Sequence, residues 1–216
     1  MSTDSTASAL LDRLAIRELV ENWFVHRDNR DWDQFLEVWH EDGVMMTTWG
    51  GRATPRGFAE AAQRGYDNGD RMLHACGPTS VELAADRAIA QSKLRIMQRG
   101  SVEGVLCDVT CIGRVYDFYE KRSGRWGLVL RQPIYEQDFI APVDPSASVR
   151  LDEHKLARYP DGYARLAYLQ EGLGYTIKPD MPTATGSELQ ALLAQGRSWL
   201  AGGELTWAAE EVTASR

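Results

Sequence analysis

The sequence predicts an α+β fold: a curved antiparallel sheet wraps around N-terminal helices as a cone, and a helical and loop extension follows at the C-terminus. Three observations predict it. Apolar residues recur at three- and four-residue steps from Ser8 to Trp39. Four long stretches rich in β-branched and aromatic residues then follow, separated by turn signals. The strand signal ceases at Ala141-Pro142-Val143-Asp144-Pro145. Helices first and a strand meander afterwards is the segregated order of an α+β domain, and the sheet must curl around the first helix to bury its apolar stripe. A sheet bent in this way and closed by a helix encloses a pocket.

Element by element, Ser8 to Arg27 forms an amphipathic helix, with Leu10, Leu11, Leu14, Leu19, Val20, Trp23 and Phe24 set among Asp12, Arg13, Arg17, Glu18 and Glu21. After a break at Asp28-Asn29-Arg30-Asp31, Trp32, Phe35, Leu36 and Trp39 keep the helical spacing until Glu41-Asp42-Gly43 stops it. Val44 to Thr48 is the first strand, Gly50-Gly51 a hairpin turn, and Pro55 to Arg64 a short helix ended by Gly65. The long strands run over Leu73–Leu83, Ala88–Gln98, Gly104–Tyr119 and Trp126–Phe139, with turns at Ala85-Asp86, Gly100-Ser101 and Ser123-Gly124. In the extension, helices are expected near Tyr163–Glu171 and at Ser187–Leu200. This divides the chain into a cone domain, residues 1–145, and an extension, residues 146–216, that packs on the cone or on a partner subunit. The end from about Glu204 is expected to be disordered.

Composition narrows the function. A chain of 216 residues is long enough to bury a core without disulfide or metal staples. The formal net charge of −7 is opposite in sign to a nucleic-acid-binding or anionic-membrane-binding surface. Cys76, Cys107 and Cys111 are odd in number and lack CxxC spacing, as reduced thiols of a cytoplasmic protein would. No basic leader and no membrane-length apolar run stands out. P-loop, nucleophile-elbow, zincin and dinucleotide motifs are all missing, so neither nucleotide-dependent nor serine-hydrolase chemistry is supported.

What remains is a set of polar residues in apolar segments. Asp28 closes the first helix one turn after Trp23 and Phe24; it either caps the next element or orients a histidine and stabilises its charged form. His74 lies among small and apolar neighbours at the start of the first long strand, where a histidine is either a core residue bonded to a carbonyl or a proton shuttle facing a pocket. Arg131 sits in the last strand; period-two alternation puts Val129, Arg131, Pro133 and Tyr135 on one face and Leu128, Leu130 and Ile134 on the other. An arginine between two partly apolar faces is either paired with an acid across the sheet or binds something. His26 and Asp28 are about 200° apart around a helix, which argues against a metal triad with His74, and no metal or other cofactor is expected. Cys107 and Cys111 are expected to be buried hydrophobes, and His40 and His154 surface residues.

Three stretches, Ala15-Ile16-Arg17-Glu18-Leu19, Asp28-Asn29-Arg30-Asp31-Trp32-Asp33 and Val38-Trp39-His40-Glu41-Asp42-Gly43-Val44, with the last hairpin Tyr119 to Trp126, resemble the SnoaL-like group of the nuclear transport factor 2-like superfamily over residues 8 to 140. The resemblance implies a cystatin-like cone. Such cones host enzymes, non-catalytic oxygenase subunits and binding modules alike. Within the superfamily the chain is similar to the hexachlorocyclohexane dehydrochlorinase and scytalone dehydratase subset, whose cofactor-free eliminations use a histidine–aspartate pair inside the cone. That similarity implies the pair Asp28–His74 and, from the dehydrochlorinases, a last-strand arginine at Arg131. The leaving-group lysine of the dehydrochlorinases falls on Trp23, a departure that favours a larger aromatic substrate over halide elimination. The stretch Tyr159 to Gln170 resembles extended SnoaL-like proteins of aromatic-degrading bacteria, including a lyase that removes formaldehyde from lignin-derived diols.

These readings converge on a cofactor-independent lyase for a hydrophobic, aromatic, hydroxylated small molecule. His74 would move the proton, Asp28 orient it and Arg131 stabilise negative charge, with Tyr135, Trp23, Phe24 and Met45 shaping the pocket. The expected assembly is a homo-oligomer, dimer or trimer, without nucleic-acid or membrane partners. Isomerisation or cyclisation in the same pocket is the sibling reading. A small subunit of an aromatic-ring dioxygenase, or a ligand-binding module, is the reading from another class.

Overall fold

In the computed structural model, residues 3–205 are described. Helix α1 (Thr3–Asn29) is followed by α2 (Trp32–Glu37), β1 (Trp39–Thr47), β2 (Gly51–Ala53), α3 (Pro55–Asp67) and four long strands, β3 (Arg71–Ala84), β4 (Arg87–Val102), β5 (Val105–Arg122) and β6 (Arg125–Pro142). The extension contributes α4 (Glu153–Leu156), α5 (Ala164–Gly172) and α6 (Ser187–Leu200). The six strands form one sheet in the order β2-β1-β6-β5-β4-β3. All pairings are antiparallel except β1 with β6, which is parallel, so the sheet is mixed. No helix among the described residues is long and apolar enough to cross a membrane.

The sheet separates two apolar layers. On its concave side Ile16, Val20, Trp23 and Phe24 of α1 pack with Phe35 and Phe58 against strand residues such as Leu94, Val109 and Leu128. The first turns of α1 depart from expectation, because Leu10, Leu11 and Leu14 are more than 60% exposed and the buried stripe starts only at Ile16. The outer layer is built from Ile89, Phe118, Val129, Leu130 and Ile134, and α6 covers it with Leu189, Leu192 and Trp199. Helix α5 instead joins the concave core through Leu166, Ala167 and Leu169. The extension therefore packs on both faces of its own cone. The expectation of disorder from about Glu204 falls almost wholly outside the described residues.

Several boundaries differ from the sequence reading for identifiable reasons. Trp39 begins β1 rather than continuing α2, and Glu41-Asp42-Gly43 form an irregularity between the pairs Trp39–Leu128 and Val44–Leu130. A Cβ at Gly43 would lie 2.8 Å from the Trp39 ring and 2.9 Å from the His40 carbonyl oxygen, so only glycine fits this bulge. Gly100-Ser101 is strand, not turn. Gly100 is small because Leu169 of α5 presses on it, within 2.7 Å of where a Cβ would stand. The turn falls at Glu103-Gly104 (φ 49° and 79°) and, like Ser123-Gly124 (φ 51° and 81°), has positive φ at both central residues, as two-residue hairpins of type I′ require.

In β6 the pairs Phe118–Leu130 and Tyr119–Leu128 skip Val129. This bulge sends Leu128 to the inner layer and Val129 to the outer one, opposite to strict alternation, while Arg131, Pro133 and Tyr135 still face inward. His40 is buried, not at the surface; its Nε2 donates to the Glu120 carbonyl at 2.8 Å and Gly127 passes over its ring.

The concave core is centred on Phe35, which is fully buried and meets the rings of Trp23, Trp32, Trp39 and Phe58 at centroid distances of 5.6 to 6.0 Å. Phe35→Ala is expected to lower the unfolding free energy by about 3–5 kcal/mol, read as a fall in the urea midpoint without a change in slope.

Candidate active site

Helix α1 ends where Arg30 takes a left-handed conformation (φ 64°) and the Asp31 N–H returns to the His26 carbonyl at 2.9 Å. This termination leaves Asp28 on the last turn, against the start of β3. One carboxylate oxygen accepts from the His74 backbone N–H at 2.6 Å, and the other meets His74 Nδ1 at 2.8 Å. Asp28 is thus both the tether of β3 and the orienter of the imidazole. With Nδ1–H donated to a carboxylate, Nε2 carries the lone pair. Arg27 supports the same carboxylate from the side, Nη1 to Oδ1 at 3.0 Å, and reaches the Tyr66 hydroxyl and the Met72 sulfur.

Burial, aided by the positive charge of Arg27, pushes His74 down to about 4 against the upward pull of Asp28. For Asp28, burial raises the pKa, but the His74 hydrogen bonds and the charges of His74 and Arg27 outweigh it, so the carboxyl sits below its ordinary value. The pair at neutral pH is a neutral imidazole on an ionised carboxylate, a proton acceptor whose charged form has a stabiliser already in place.

Arg131 projects inward from β6 and is fully buried. Its Nε and Nη2 donate to the two oxygens of Asp117 on β5 at 2.9 and 2.6 Å. Asp117 is its cross-strand partner and is equally buried. The guanidinium carbon lies 4.3 Å from the Trp23 ring centroid and 4.9 Å from that of Phe24. The same two rings stand 6.0 and 6.2 Å from the His74 ring. The cross-strand ion pair read from the sequence is present, and the paired arginine also lines the cavity. Asp117 does not engage Nη1, and the buried Tyr119 hydroxyl interacts with the guanidinium.

The cavity measures about 40 Å³, room for roughly three waters at 10–15 Å³ each. His74, Arg131, Trp23, Phe24, Met45 and Tyr135 all line it, and Asp28 stands directly behind His74. His26 is not part of it and lies beside Asp31 at 3.8 Å. Among the described residues no three His, Cys, Asp or Glu side chains converge on a metal position. Cys107 and Cys111 are buried, and burial raises both thiols.

Several lining residues escaped sequence reasoning. Thr48, just past β1, donates its hydroxyl to Gln170 of α5 at 2.8 Å, and Gln170 donates in turn to Gln98 at 3.1 Å. Tyr135 also hydrogen-bonds to Thr48, and burial raises its phenol. The extension thus contributes Leu166 and Gln170 to the chamber lining. The signals were present but faint: a glutamine ending the apolar run Tyr168-Leu169-Gln170, and an acid inside Tyr116-Asp117-Phe118-Tyr119.

Residues 8–132 match the SnoaL-like domain. The chain belongs to the SnoaL-like family. A PEP2-like protein of Fusarium vanettenii is 35% identical over 206 residues, covering 91% of this chain and 88% of the relative. Pea pathogenicity protein 2 of the same fungus is 38% identical over 178 residues, covering 81% and 76%. Among solved structures, a hexachlorocyclohexane dehydrochlorinase from Novosphingobium barchaimii is similar at TM-score 0.54 and 17% identity, covering 68% of this chain and 99% of that one. A scytalone dehydratase-like protein from Novosphingobium aromaticivorans is similar at TM-score 0.53 and 16% identity, covering 67% and 99%. These two share the fold of this SnoaL-like protein along nearly their whole lengths.

The buried pair makes stability depend on acid. The unfolded chain titrates His74 near 6.5 and the folded protein near 4. Between those values the unfolded state binds more protons, so the contribution is complete above about pH 6.5 and is lost as pH falls toward 4. The lowered Asp28 acts in the same sense at lower pH. Thermal unfolding should show the midpoint falling from pH 7.5 to pH 5 in the native protein and falling less in His74→Gln.

Proposed function

We propose that this SnoaL-like protein is a cofactor-independent lyase that eliminates water, or a small carbonyl fragment, from a hydrophobic, aromatic, hydroxylated substrate. The observation that carries the reading is the His74 Nδ1 to Asp28 contact of 2.8 Å, beside a cavity with aromatic walls and a buried arginine. In a dehydration, Nε2 of His74 takes the proton from the carbon next to a carbonyl, and the electron pair moves onto the carbonyl oxygen as an enolate. Nη1 of Arg131, which Asp117 does not engage, donates to that oxygen. Collapse of the enolate expels the β-hydroxyl, which receives the proton held on Nε2 and leaves as water. Asp28 stabilises the imidazolium during its brief existence and keeps Nδ1 protonated throughout.

Dry walls of Trp23, Phe24 and Phe58 strengthen each of these interactions by excluding solvent. The cavity must widen for an aromatic ring, and Met45 and Met72 in its lining have the rotamer freedom for that. The fold-level likeness to dehydrochlorinase and dehydratase structures agrees with the reading and supplies no residue assignments.

The test is turnover of a panel of aromatic β-hydroxyketones, followed by the absorbance of the conjugated enone and by α-proton exchange in D₂O. His74→Gln and Asp28→Asn should each lower kcat/KM by on the order of 10²–10⁴. Equal rates in the native protein and His74→Gln, or no exchange with any member of the panel, would contradict the proposal.

A further inference from the structure

Asp117 touches the cavity only through Arg131. It is fully buried, does not itself line the chamber, and uses both carboxylate oxygens on Nε and Nη2 of the guanidinium. Around the chamber the formal charges cancel in two pairs, Arg27 with Asp28 and Arg131 with Asp117, while His74 is held neutral. A carboxylate entering this space would bring a third negative charge, and among the described residues lining it no unpaired cation remains to meet it. Such an ion would find N–H donors but no net positive charge, so its dehydration would be only partly offset.

A neutral oxygen is received differently. Among the described residues, two that line the chamber carry buried N–H groups with no acceptor, Trp23 at Nε1 and Arg27 at Nε, and Nη1 of Arg131 is not engaged by Asp117. Buried donors of this kind are satisfied by an acceptor from a ligand or by water. The deficit is wholly of acceptors, so the complementary ligand offers carbonyl or hydroxyl oxygens.

We propose that Asp117 is a specificity-determining residue: by taking two of the three nitrogens of Arg131 and cancelling its charge, it restricts the chamber to uncharged, acceptor-bearing ligands and excludes carboxylates. The inference rests on the chamber being the substrate site, and it holds whichever bond the protein breaks.

Binding alone tests it, with probes matched in ring and size. Tryptophan fluorescence and the His74 imidazole NMR signals at pH 7.5 report titrations with 4-hydroxyacetophenone, 4-hydroxybenzamide and 4-hydroxybenzoate. The ketone and the amide should bind at least about tenfold more tightly than the carboxylate. Asp117→Asn, which keeps the shape but frees the guanidinium charge, should shift the ketone-to-carboxylate ratio by at least about tenfold toward the carboxylate. The double variant Asp117→Asn, Arg131→Gln, neutral again, should restore preference for the ketone. Carboxylate binding as tight as the ketone in the native protein overturns the proposal without need of any variant and leaves the site reading standing. An unchanged ratio in folded Asp117→Asn overturns it as well. If no probe moves the His74 signals, the chamber is not the site, and both readings fall together.

Discussion

One carboxylate holds this structure together at the point where it matters chemically. Asp28 reaches from the last turn of α1 to both the backbone N–H and the ring of His74, so the angle between helix and sheet and the orientation of the imidazole are set by the same two hydrogen bonds. A helix that slid by one residue would carry the carboxylate about 100° around its axis and lose both contacts. Beside this junction α1 terminates at a left-handed Arg30, and Trp23 and Phe24 pack on Arg131.

A second constraint is charge. Four ionised groups lie in or directly behind the chamber walls, each neutralised by a partner at hydrogen-bond distance, and His74 is left without charge by burial. Low dielectric makes an unpaired member of this set expensive and makes an oriented neutral base effective. The extension adds what the cone lacks. Through Gln170 it bonds to Thr48 and Gln98, while α6 covers part of the outer face of the sheet. The dehydrochlorinase and dehydratase-like structures leave about a third of this chain without a counterpart, whereas the Fusarium PEP2-like relative spans 91% of it.

Much of the architecture was legible because it depends on periodicity and turn chemistry. The four long strands, α6 and the order of layers follow from alternation, helical spacing and glycine placement. What escaped depends on contacts between distant segments. Gly100 reads as a turn until Leu169, far along the chain, is seen to require its small size. Val129 reads as an inward residue until the β-bulge against β5 reverses it, and Trp39 reads as helical until β6 pairs with it. The same holds for the site. The residue types at 28, 74 and 131 mark themselves as polar groups in apolar surroundings, but their convergence is a tertiary fact, with 46 positions separating Asp28 from His74. Asp117 and Gln170 gave only the weak signal of a polar residue within an aromatic or aliphatic run, because their partners lie on other strands.

The central claim is that His74 is a neutral base with its free nitrogen toward the chamber and its proton on the side of Asp28. The ¹⁵N chemical shifts of the His74 ring at pH 7 test this directly. The account predicts a neutral imidazole protonated at Nδ1, with Nε2 showing the shift of an unprotonated nitrogen. An Nε2–H tautomer, or a doubly protonated ring at that pH, would contradict it.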